Sequence, residues 1–155
     1  MTAKLVTITE AVVDELNGNA HWPLKFGRAE RTYLPREELE NTDNCKVSVA
    51  FSATRMQPYD RTEWVYEHDI DIGIQFRLKP NSGDLIAKFD LCLELEEQIA
   101  DYWRHRIQSL RPEPNTVLMG VEIGGPSGAP YVPQHVEKFN QFTGIVRLTF
   151  REVRS

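Results

Sequence analysis

The stretch YEHDIDIGIQFRL, residues 66–78, alternates without a break: Ile70, Ile72, Ile74, Phe76 and Leu78 fall on one side, and Asp69, Asp71, Gly73, Gln75 and Arg77 on the other. A period of two marks a β-strand with one buried face and one wet or partner-facing face. The neighbouring elements can be read outward from it. Upstream, Val47, Val49 and Phe51 alternate with Ser48 and Ala50, which predicts a strand over residues 45–53. Between these two strands lies TRMQPYDRTEW, residues 54–64. It carries proline, arginine and aromatic residues with little alternation, and reads as an exposed hairpin tip. Downstream, Pro80-Asn81-Ser82-Gly83 is a turn, and Asp84 opens a helix expected to end near Leu110. At ~1.5 Å per residue that helix spans roughly 40 Å. Leu85, Phe89, Cys92, Leu95, Ile99, Trp103, Ile107 and Leu110 recur at three- and four-residue intervals along it, which is a core-facing stripe. Pro112 and Pro114 stop it.

The two ends of the chain read as follows. A helix is expected over Ile8–Asn17, with Thr7 and Glu10 as a capping box, a stripe of Ile8, Val12, Val13 and Leu16, and Gly18 just past its end. A strand over residues 26–34 and a helical turn, PREELEN at 35–41, come next. Beyond the long helix, Val117–Ile123 reads as a strand, GGPSGAPYVP as a glycine-rich loop, and PQHVEKFN as a short helical turn. The last strand is Phe142–Val153, with Val146, Leu148 and Phe150 on one face and Arg147, Thr149 and Arg151 on the other. The order predicts a single α+β domain over residues 1–155: a mainly antiparallel or mixed sheet of about five strands with two main helices packed on one face. The long helix is free to serve as a crossover, so some strand directions stay open.

The 18 basic residues are dispersed among 23 acidic ones, giving a net charge of −5, so no basic face suited to phosphate binding stands out. The N-terminus lacks the apolar segment of a signal peptide, and no apolar run approaches the ~20 residues of a membrane span. The expectation is a protein that folds in a cytoplasm and has no membrane partner. Cys45 and Cys92 sit in no CxxC pair and read as small buried apolar residues.

Chemistry-bearing patterns are few. Glu67, Asp69 and Asp71, flanking His68, suit a divalent metal and would serve a small metal-dependent nuclease. Asp69 and Asp71, however, share one strand face, and Arg147 and Arg151 share the same kind of face in the last strand, so cross-strand Asp–Arg pairs are the preferred reading. His21, His68, His105 and His135 have no zinc-type spacing, and there is no GxSxG. The loop from Gly124 to Gly128 lacks the lysine of a phosphate loop, and Pro126 removes a donor. No catalytic residue, cofactor or metal is therefore assigned. The hairpin residues Arg55, Met56, Gln57, Tyr59, Arg61 and Trp64 are of the types enriched at protein–protein contacts.

YEHDIDIGIQFRL, the helix LCLELEEQIADYWR and the closing segment PYVPQHVEKFNQFTGIVRLTFREVR together resemble the small tail-completion proteins of siphophages and prophages, a tail-terminator-like family. In the closing segment the resemblance rests on Tyr131, Pro133, His135, Phe142, Thr143, Leu148, Thr149, Phe150 and Arg151. It implies a structural virion protein rather than an enzyme, forming a homo-oligomeric, hexameric ring on the tail tube. It further implies the major tail tube protein on one ring face, a head-completion or neck protein on the other, and only transient, nonspecific DNA contact in the lumen. The alternatives are the nuclease above and a monomeric adaptor protein.

Overall fold

The computed structural model describes residues 3–18, 22, 28–32, 45–79, 83–110, 112–124 and 128–154. In chain order these form helix α1 (Lys4–Gly18), strands β1 (Glu30–Arg31), β2 (Lys46–Pro58) and β3 (Trp64–Arg77), helix α2 (Leu85–Arg104), strand β4 (Thr116–Ile123), helix α3 (Pro133–Phe139) and strand β5 (Gln141–Arg154). The PREELEN turn lies outside the described residues. Of the strand expected over 26–34, residues 28–32 are described, and only Glu30–Arg31 are strand.

The sheet order is β1-β2-β3-β5-β4. β1 runs parallel to β2, and the other neighbours are antiparallel. β3, the strand with unbroken alternation, is central: it pairs with β2 on one side and with β5 along its whole length on the other. β4 is antiparallel to β5 and therefore parallel to β3, with β5 inserted between them. Parallel strands cannot be joined by a hairpin, so α2 acts as the crossover.

Both main helices share one core with the helix-facing side of the sheet. Ile8, Val12 and Leu16 of α1 and Cys92, Leu95, Ile99 and Trp103 of α2 meet Val49, Ile70, Ile72, Ile74, Val146, Leu148 and Phe150. Trp103, Phe142 and Phe150 are among the largest fully buried side chains, and burying each such side chain stabilises the fold by roughly 1.5–3 kcal/mol. Cys45 and Cys92 are free and buried.

Three boundaries differ from the sequence reading. α1 begins at Lys4, so Thr7 lies inside the helix and its hydroxyl donates back to the Ala3 carbonyl (3.4 Å) instead of capping; Gly18 is its last residue. α2 ends at Arg104 and not near Leu110. Past Arg104 the backbone bonds tighten to three-residue steps, Arg106 to Trp103 and Ile107 to Arg104, and Gln108 then takes a left-handed conformation (φ 66°) that keeps the helix from resuming. Its N–H then donates to the Leu118 carbonyl (2.8 Å), and the Leu118 N–H donates to Leu110 (3.2 Å), drawing the segment onto the outer edge of β4. Finally, residues 54–58 are not part of a loose tip. Cross-strand pairing from Thr54↔His68 to Pro58↔Trp64 carries β2 onward, and the irregular turn shrinks to residues 59–63.

Candidate functional site

The sheet face opposite the core is polar, and the strand register sorts its charges into rows. Arg55, Glu67 and Arg151 stand in one row, Asp69 beside Thr149 in the next, and Asp71 beside Arg147 in a third. Arg147 binds Asp71 in bidentate fashion, Nε to Oδ1 at 2.7 Å and a terminal nitrogen to Oδ2 at 3.0 Å. Arg55 does the same to Asp69, at 2.7 and 3.0 Å, and also reaches Glu67 at 3.3 Å. The Thr149 hydroxyl donates to Asp69 at 3.0 Å. Asp69 is only 4% exposed and Asp71 only 9%, although neither is on the core side. Burial alone would raise the Asp69 carboxyl; the hydrogen bonds from Arg55 and Thr149, with the charges of Arg55 and Arg147, outweigh it and hold the group below its ordinary value.

Each carboxylate oxygen of Asp69 and Asp71 accepts from a guanidinium. A metal ion at Glu67, Asp69 and Asp71 would have to displace two arginines. Among the described residues no group of three or more His, Cys, Asp or Glu side chains is arranged to hold one. The Asp–Arg pairing expected from the sequence is present for Arg147. Arg151 is different: no ion pair or hydrogen bond of its side chain occurs among the described residues, because Glu67 opposite it is turned to Arg55.

Arg151 instead lines an open cleft of about 420 Å³ at the hairpin end of the sheet, with Tyr59, Val117, Met119 and Val153 beside it. The cleft joins two groups of residues that the sequence reading kept apart, the hairpin and the closing segment. Its wall is braced: Oδ1 of Asp60 accepts from the Thr62 and Glu63 N–H groups at 2.8 and 2.9 Å, and the Tyr59 N–H donates to the Glu63 carbonyl at 2.9 Å. Those two backbone donors, Thr62 first, hold the Asp60 carboxyl below its ordinary value.

The hairpin residues therefore divide. Arg55 belongs to the ionic rows, Gln57 is exposed in β2, Tyr59 and Arg61 are exposed in the turn, and Met56 and Trp64 are exposed on the paired strands. Met56 is 62%, Tyr59 63% and Trp64 47% exposed. The closing segment divides too. Tyr131 packs edge-on against Phe89 (4.9 Å between ring centres), and Phe89 against Phe142 (5.4 Å). Pro133 begins α3, and His135 shares a hydrogen bond with the Thr143 hydroxyl at 2.9 Å. These four residues join α3 to β5. Arg151, nine residues beyond Phe142, stands about 30 Å away at ~3.3 Å per residue.

The burial of three ionisable groups escaped the sequence reading, although His68 itself was weighed there beside the metal candidate. His68 and Glu152 are both 2% exposed, with Nε2 and Oε2 3.5 Å apart, and Thr54 contacts His68 Nδ1 at 3.1 Å. Burial holds His68 below its ordinary value despite the Glu152 charge. Glu152 also pairs with Arg154, whose guanidinium lies over the Tyr66 ring at 4.1 Å. Glu96 of α2 is 1% exposed and faces β5 at Gly144, where a Cβ would collide with its carboxylate. Burial, then the neighbouring Glu97 charge, pushes Glu96 up to about 8. Spacing held the signal for all three: His68 is two residues from Ile70, Glu152 two from Phe150, and Glu96 four from Cys92, each within a core-facing pattern.

Comparison with protein-family models and with curated protein sequences returns no match for this chain. No helix among the described residues is long and apolar enough to cross a membrane.

Proposed function

We propose that this chain is a structural subunit of a phage tail, a tail-terminator-like protein that assembles into a homo-oligomeric, hexameric ring. In that ring one face meets the major tail tube protein and the other a head-completion or neck protein, and DNA passes the lumen with transient, nonspecific contact. The place of action is the virion, with assembly in the host cytoplasm. The observation that carries the reading is the hairpin end. Met56, Tyr59, Trp64 and Met119 are four of the five exposed large apolar side chains among the described residues, and all four lie there. They divide between the two faces of the sheet, Met56 and Trp64 on one and Tyr59 and Met119 with Arg151 on the other, and aromatic, methionine and arginine side chains exposed at one end of a domain have the composition of protein contact surfaces. The acidic face at Asp69 and Asp71 is already neutralised by arginines, which favours a structural role for it over a metal-dependent one. The resemblance of residues 131–151 to tail-completion proteins supplies the assembly.

The test is electron microscopy of the purified protein, combined with light scattering and a mixing experiment with tail tubes. The expected result is a closed ring that binds one end of a tube. A chain that stays monomeric at high micromolar concentration and ignores tubes would leave the monomeric adaptor as the better description.

A further inference from the structure

Two surfaces of this chain are complementary and cannot meet within one molecule. The first is the cleft at the hairpin end, lined by the apolar Tyr59, Val117, Met119 and Val153 and by the cationic Arg151. The second is the outer side of α2. Asp90, Glu94, Glu97 and Asp101 are all exposed, and their spacing of four, three and four residues places them in one line. Ile86 continues that line one turn earlier and is 75% exposed, the most exposed large apolar side chain among the described residues. The stripe from Ile86 to Asp101 is about 22 Å long at ~1.5 Å per residue.

The pairing covers three of the five exposed large apolar side chains among the described residues, Tyr59 and Met119 in the cleft and Ile86 on the helix; Met56 and Trp64 stand on the other face of the sheet. It also gives a partner to the cation left unpaired in the ionic rows. α2 packs on the core side of the sheet, whereas Val117, Arg151 and Val153 stand on the other side. A contact between them is therefore intermolecular and heterologous, the kind that closes into a ring.

We propose that the cleft is the docking site for the acidic outer face of α2 from a second copy of this chain, with carboxylates of the stripe meeting Arg151 and Ile86 meeting the apolar lining. This rests on the ring reading above and names its contact.

Charge reversal tests it. Arg151→Glu and, separately, Asp90→Arg/Glu97→Arg each weaken self-association by about tenfold or more, because each sets like charges face to face. The combined triple variant recovers association. Oligomeric state is read by sedimentation or light scattering over a concentration series, with a thermal melt to confirm folding. The stripe positions are exposed, so their variants remain informative even if Arg151→Glu fails to fold, and Met119→Ser then probes the cleft. An oligomeric wild type that both sets of variants leave intact overturns this contact while the ring stands. A wild type that never self-associates overturns both. Loss in each partial variant with recovery in the triple supports the proposal.

Discussion

Replacing Glu96 by glutamine should remove most of one pH dependence of stability. Glu96 sits between α2 and β5, 1% exposed, its carboxyl occupying the space that Gly144 leaves open. Its pKa is pushed from an ordinary 4.5 to about 8, by burial first and the Glu97 charge second. The native state thus keeps a proton that the unfolded chain gives up between these two values. Stability is full below about pH 4.5, falls as pH rises towards 8, and is flat above. With each pKa unit equal to about 1.4 kcal/mol, the loss is of the order of 3–5 kcal/mol, a large part of a typical 5–15 kcal/mol. Glutamine has the shape of the protonated acid and does not ionise. Near pH 5 the variant and the wild type should unfold at similar urea concentrations; near pH 9 the variant should be the more stable by several kcal/mol. Tryptophan fluorescence is a direct readout, since Trp103 is in the same core. Denaturation midpoints of the two proteins that move in parallel from pH 5 to pH 9 would refute the account of Glu96.

Other expectations follow from the same packing. Gly144→Ala should cost about 1–3 kcal/mol through collision with the Glu96 carboxylate and the Phe142 ring, and much less in a Glu96→Ala background; an equal cost in both backgrounds, measured as a double-mutant cycle, would deny the contact. Ile72→Asp should abolish soluble expression, because Ile72 is fully buried and an unpaired buried carboxylate costs several kcal/mol; a folded variant with an unchanged melting temperature would contradict the strand's face assignment. Titration with magnesium, manganese or calcium should give no saturable heat, since Arg55 and Arg147 occupy the Asp69 and Asp71 oxygens; micromolar binding that disappears in Asp69→Asn/Asp71→Asn would restore the nuclease reading.

Much of the fold was legible because it is written in periodicity. Residues 66–78 declare a strand by strict alternation and α2 declares itself by its three- and four-residue stripe, since burial on one side of a repeating backbone forces a repeating apolar pattern. The same logic gave β5 its two faces, and with them the Asp71–Arg147 pair. Long-range pairing decided what periodicity cannot encode. Residues 54–58 lack alternation and still form strand, because β3 offers them a complete ladder of partners. The placing of β5 between β3 and β4 made α2 a crossover, and the chain beyond Arg104 left the helix to bond the edge of β4 through Gln108 and Leu110. Glu96, His68 and Glu152 are buried because the positions they share with apolar neighbours are covered, whatever their chemistry. Arg151 and Tyr59 are almost a hundred residues apart in the chain and line one cleft only because the C-terminal end of β5 and the β2–β3 turn lie at the same end of the sheet. Sequence fixes which residues repeat along an element; only the tertiary pairing of elements decides which of them meet.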